Sequence, residues 1–208
     1  MCPPVPSRRP DRARRLPRRL SAEDRRAQIL ETAAELFIQR GFESVGMADL
    51  AEELRISRPT IYTYFASTEE MLDALLEARL EGLPGRLHPY LHSAEDTATA
   101  FDHLFMVLLE ERDLLMLLNS GGGPLFRQKR RAFFQALESR LQLAELPRAQ
   151  RSGPAAQRLV FLLLHLLSSS AYAQLTEEPF DAGALAATLD TFVTGGIRAL
   201  AEEAGGGN

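Results

Sequence analysis

Between Ser57 and Thr68 the chain gathers groups suited to a polyanion: the guanidinium of Arg58 and the hydroxyls of Thr60, Tyr62, Thr63, Tyr64 and Thr68. Hydroxyls of this kind bond phosphate oxygens, and an arginine at the start of a helix reaches base edges in the major groove. Pro59 suits the first turn of such a helix, where its missing N–H costs nothing. Ile61 and Phe65, four positions apart, can turn inward while the polar side chains face out. A helix this short has few buried positions, so its polar residues are free to read DNA.

The distribution of charge agrees with a nucleic-acid partner, although the formal net charge of −4 does not. Residues 1 to 65 carry 12 Arg and 9 acidic residues, a net of +3, and the remaining 143 carry 12 basic and 19 acidic residues, a net of −7. A basic front end and an acidic body are expected to meet different partners. Other chemistries find little support. There is no nucleophile-elbow motif, no phosphate-binding glycine loop after a strand and no cluster with zinc spacing, and the four histidines form no visible triad. Gly121-Gly122-Gly123 follows no strand and reads as a hinge. An enzyme is therefore not expected, and neither is a cofactor or metal. A non-specific architectural DNA binder is the second rival. Cys2 is the only cysteine, so no internal disulfide can form, and no apolar stretch of signal-peptide length follows the arginine-rich start. The run Leu159–Leu167 is too short and too interrupted to span a bilayer. A cytoplasmic protein is expected.

The elements that must position Arg58 and its neighbours are helical by period. Residues 1–20 hold five prolines and seven arginines and read as a flexible basic arm. Ser21 with Asp24 three positions on marks a helix start, and Ile29, Leu30, Ala33, Ala34 and Phe37 recur at helical spacing until Gly41. Met47–Leu54 and 58–64 read as two short helices separated by Arg55 and Ile56, with Ser57 as a cap. So tight a turn forces a steep crossing, which is helix-turn-helix geometry. A longer helix is expected from Thr68 to about residue 83, meeting Pro84-Gly85 near its end. Further helices are expected from Ser93, over Leu114–Leu118, from Pro124, from Pro154 to about Leu175, and from Asp181. No alternating strand pattern occurs. The fold class is all-α.

The segment Gly41-Phe42, Asp49-Leu50-Ala51, Ser57-Arg58-Pro59-Thr60-Ile61-Tyr62 and Phe65, within about Ala22 to Leu76, resembles the N-terminal domain of the TetR family of bacterial repressors. The resemblance implies a helix-turn-helix domain over 21–66 and a ligand-binding and dimerisation bundle over 67–208. It also implies DNA contacts from Arg58, Pro59, Thr60, Tyr62, Thr63 and Tyr64, with Thr68 at a phosphate, and a homodimer built on the last two helices. The implied partners are a palindromic double-stranded operator and a small-molecule ligand that releases it. Repression is expected, because an operator-bound dimer blocks polymerase, although the same fold can activate. Three residues depart from the family pattern: Arg55 for a turn glycine, Gly46 for a hydroxyl N-cap, and Thr68 for a lysine. If Arg55 has positive φ it costs about 1 kcal/mol relative to glycine. Thr68 is expected to cap the following helix.

The family's pocket lies among the later helices. Phe101, Phe105, Phe126, Phe133 and Phe134 are first of all core, and with Met116, His165 and Tyr172 they are also the candidate pocket wall. The cluster Arg127, Lys129, Arg130 and Arg131 reads as a solvated face.

Overall fold

A computed structural model describes residues 20–92, 100–141, 154–177 and 179–205 of the 208-residue chain. The basic arm, apart from Leu20, and the helix start at Ser93 lie outside the described residues. Among the described residues the chain is all-helical, as its periodicity predicts. The helices are α1 (Ala22–Arg40), α2 (Met47–Glu53), α3 (Arg58–Tyr62), α4 (Thr68–His92), α5 (Ala100–Glu110), α6 (Arg112–Leu118), α7 (Pro124–Arg140), α8 (Pro154–Thr176) and α9 (Ala182–Gly205), and a single 3-10 turn covers Phe42–Ser44.

Helix starts follow local capping chemistry. Ser21 and Asp24 form a reciprocal box, Asp24 N donating to Ser21 Oγ at 3.0 Å and Ser21 N to Asp24 Oδ2 at 3.3 Å. The Asp181 carboxylate accepts from Ala184 N at 2.7 Å and opens α9. Pro124 occupies a first helical position behind Gly123. Gly41 ends α1 with φ 84°, a left-handed conformation that favours glycine.

The long helix departs from expectation. It does not stop near residue 83 but runs through Pro84 and Pro89 to His92. Each proline removes an N–H that would bond the carbonyl four residues earlier, a cost of about 3 kcal/mol in a helix interior. Leu80, Leu83 and Leu87 recur along one face and are all buried, so tertiary packing holds the helix past both prolines.

α4 is the spine of the molecule, packing on α1 at one end and on α5 and α7 along its length. α5 lies against α8 and α9, and α6 bridges α8 to α1. One continuous apolar core therefore runs from Ile29, Phe37 and Leu50 through Phe105 and Phe126 to Leu167 and Val193. The buried Asp190 carboxylate accepts from Phe101 N at 3.3 Å and ties α9 to α5. Among the described residues no helix is long and apolar enough to cross a membrane.

Candidate functional site

The short helices α2 and α3 are fixed by their own ends. Gly46 cannot cap with a side chain, so Asp49 reaches back and accepts from Gly46 N at 2.8 Å. Beyond α2, Arg55 N donates to Glu52 O and Ile56 N to Ala51 O, both at 3.0 Å. This is the paired Schellman closure, and it requires Arg55 to be left-handed, with φ 53°. The condition placed on Arg55 from the sequence is therefore met, and the turn carries that strain. Ser57 then caps α3, accepting from Thr60 N at 3.3 Å while its hydroxyl pairs with Thr60 Oγ1 at 2.7 Å.

Ile61 and Phe65 are buried beneath α3, and Arg26 lies 4.7 Å from the centre of the Phe65 ring. With its inner side so anchored, α3 presents Arg58, Pro59, Tyr62 and Thr63 to solvent, and Thr60 is half-buried. Among the described residues no carboxylate pairs with Arg58, which leaves its five donors for a ligand. Thr63 is less free. Its hydroxyl donates to Pro59 O at 3.0 Å, so it offers lone pairs rather than a proton, which suits a base amino group better than a phosphate. The helix ends at Tyr62, two residues short of the predicted end, and Tyr64 packs partly against the core. The expected cap on α4 is corrected: Ser67, not Thr68, accepts from Glu70 N at 3.2 Å, and Glu70 in turn accepts from Ala66 N at 2.6 Å. The Thr68 hydroxyl is spared for other partners.

The glycine run also departs from expectation. Gly122 N and Gly123 N donate to Glu43 Oε1 at 3.0 and 2.5 Å, so the loop between α6 and α7 cradles a carboxylate of the chain itself. Phe42 N donates to Ser120 O at 2.7 Å beside it. A Cβ on Gly123 would fall 2.7 Å from Glu43 Oε1, and one on Gly121 would fall 2.7 Å from the Phe126 ring. At Gly121 the buried Phe126 ring leaves no room for a Cβ, whereas at Gly123 the neighbour is the end of the Glu43 side chain. Below the cradle the rings of Phe37, Phe42 and Phe126 follow one another at 5.1 and 5.6 Å.

Donation from Gly123 N, aided by Gly122 N and the Arg127 charge and opposed by burial, holds the Glu43 carboxyl below its usual range. A depressed folded-state pKa stabilises the fold above the unfolded value, 4.5, and that stability is lost as pH falls through the folded-state pKa. The melting temperature of Glu43→Gln is therefore expected to fall less steeply than that of the parent below about pH 4.5. Parallel melting curves from pH 3 to 6 would disprove this role.

A cleft of about 100 Å³ opens between α6, α7 and α8. Of the predicted pocket residues, Phe134 and His165 line it. Phe101, Phe105 and Phe133 are buried core, Phe126 belongs to the ring series under the cradle, and Met116 and Tyr172 are half-buried away from the cleft. Sequence reasoning missed Leu115, Leu118, Asn119 and Arg130 as lining residues. Arg130 had been grouped with a solvated face, yet around it Lys129 pairs with Asp73 at 2.6 Å and Arg127 donates to Gly122 O.

Residues 29–75, which contain the capped α2–α3 pair, match the family described as bacterial regulatory proteins, tetR family. Over these residues the chain is similar to the DNA-binding segment of that family. Over 89 residues it is 32% identical to the HTH-type transcriptional activator FasR of Mycolicibacterium smegmatis, covering 43% of this chain and 41% of that protein. Over 86 residues it is 35% identical to the HTH-type transcriptional repressor KstR2 of Mycobacterium tuberculosis, covering 41% of this chain and 43% of that protein. The match thus spans less than half the length of these curated relatives. The likeness of fold extends further than the sequence similarity: the fatty acid degradation regulator FadR of Bacillus halodurans superposes with a TM-score of 0.65 over 86% of this chain and 98% of its own, at 16% identity.

Proposed function

We propose that this chain is a ligand-responsive transcription regulator that binds a two-fold symmetric operator as a homodimer, and that a small molecule releases it. The observation that carries the reading is α3 itself, a helix buried on one side and offering on the other an arginine that no carboxylate among the described residues pairs. One such helix makes too few contacts for specific binding, whereas a symmetric pair can enter successive major grooves. Phe161, Leu162 and Phe192, exposed on α8 and α9, supply the apolar face on which two copies pair. Repression is the expected sign, since an occupied operator excludes polymerase, although the relatives include an activator as well as a repressor.

The cleft and the DNA-reading helices share one element. Leu118 and Asn119 line the cleft, and the next residues, Ser120 to Gly123, hold Phe42 and Glu43. A ligand that moves the end of α6 therefore shifts the seat of the DNA-binding helices directly, and α4 carries the same motion along the spine. Coupling of this kind amounts to about 1–3 kcal/mol between sites.

The test begins with duplexes selected from a random pool by the purified full-length protein. Arg58→Ala is expected to cost about 1–3 kcal/mol and to relax preference at one base position of each half-site. Unchanged affinity and preference would remove Arg58 as a base reader. Failure to enrich any sequence would leave the architectural alternative.

A further inference from the structure

We propose that the cleft between α6, α7 and α8 receives an organic anion, a carboxylate on a short apolar stem; this rests on the reading of the chain as a ligand-responsive regulator. Among the described residues the only full charge lining the cleft is the guanidinium of Arg130, and no carboxylate lines it. Two other cations of α7 are committed, Lys129 to Asp73 and Arg140 to Glu77. Arg130 has one partner among the described residues, the carbonyl of Leu118 at 3.4 Å, a distance at the limit for a hydrogen bond. A half-buried guanidinium with most of its donors unused favours an anion, and a carboxylate can meet its planar fork with two bonds.

The surroundings fit that charge. The carbonyls at the end of α6 would repel an anion if bare, but they are occupied: Asn119 Nδ2 donates to Leu115 O at 2.8 Å, Ser120 Oγ to Leu117 O at 2.8 Å, and Arg130 to Leu118 O. Across the cleft the His165 ring lies 4.9 Å from Phe134 and 4.0 Å from Phe161. Its Nδ1 donates to Phe161 O at 2.8 Å, so that proton is spent within α8 and the preference for an anion rests on Arg130. Ser168 and Ser169 add hydroxyls to the same wall, and Leu115, Leu118 and Phe134 form the apolar part. The volume of about 100 Å³ is well below that of sites for drug-sized molecules and matches a headgroup with a few carbons.

Pentanoate is the probe, with pentanamide as its neutral isostere, pentylamine as the cation and inorganic phosphate as an anion without a stem. Calorimetry and melting curves on the intact full-length protein are expected to register pentanoate and to rank the other three far below it. Arg130→Met should weaken pentanoate by at least about tenfold, Arg130→Lys should restore part of the loss, and Arg131→Met should change nothing. The inference is overturned if nothing binds, if the amide or amine binds as well as pentanoate, or if Arg130→Met binds it undiminished. Phosphate binding as tightly as pentanoate would overturn the apolar stem. Binding to the selected duplex, measured on the same samples, verifies that the Arg130 variants are folded. It also separates the two readings: pentanoate bound through Arg130 without effect on DNA would uphold the site and overturn release.

Discussion

Phe126→Ala is expected to destabilise the fold by about 3–5 kcal/mol, among the largest losses any single truncation in this chain can cause. Phe126 is 2% exposed, and its ring is the last of three that pass from α1 through the 3-10 turn to α7. Edge-to-face and tilted ring pairs add about 0.5–1.5 kcal/mol to the burial of their area. The space cannot collapse easily. Gly121 lies directly over the ring, and its backbone is held in place by Ser120 O bonding Phe42 N and by the Glu43 cradle. A cavity left there should persist, which places the cost at the high end of large-to-small substitutions. Urea denaturation followed by circular dichroism measures the loss. A change under about 1 kcal/mol would mean that the ring series is not a structural joint. Gly121→Ala offers the complementary probe, because its new Cβ would press on the same ring from above. Both variants should also alter affinity for the selected duplex, since each disturbs the seat of α2 and α3.

What the sequence disclosed and what it concealed divide along one physical line. Ser21, Ser57 and Asp181 mark helix starts through bonds made within three or four residues and Pro124 through its fixed φ, and all four were legible. Arg55 was legible only as a condition, since nothing local to an arginine calls for φ 53° and only the resemblance marks its position as one for glycine. The passage of α4 through Pro84 and Pro89 was illegible because the burial of Leu83 and Leu87 against other helices, not local propensity, decides it. Glu43 and Gly123 are eighty positions apart, and neither a lone glutamate nor a glycine triplet signals the other. The aromatic stripe illustrates a different limit. Helical period places Phe101, Phe105 and Phe133 inward, but period cannot tell a filled interior from the wall of an opening. Arg130 was hidden for the converse reason, since a charged residue within a basic run carries no mark of which way it points.

The second large effect concerns pairing. The double variant Phe161→Glu with Phe192→Glu is expected to convert the protein to a monomer and to lower affinity for the selected duplex by about 10³-fold, to the level of non-specific binding. The two rings are 55% and 71% exposed, and Leu162 and Phe180 add further exposed apolar surface at 61% and 75%. Each buried aromatic contributes about 1.5–3 kcal/mol, and a two-fold interface counts every residue twice. Glutamates in that position would instead require desolvation of unpaired charges, which a pairing face cannot absorb. Because both side chains face solvent in the single chain, the fold of the monomer should survive, and far-ultraviolet dichroism can verify this. Light scattering gives the mass, and the melting temperature of the parent should rise with concentration while that of the variant should not. Arg58, Tyr62 and Thr63 are untouched by the change, so a monomer that loses the duplex would locate specificity in the fixed separation of two α3 helices. A variant that stays dimeric and binds with full affinity would place the pairing surface elsewhere, and the exposed rings on α8 and α9 would need another partner.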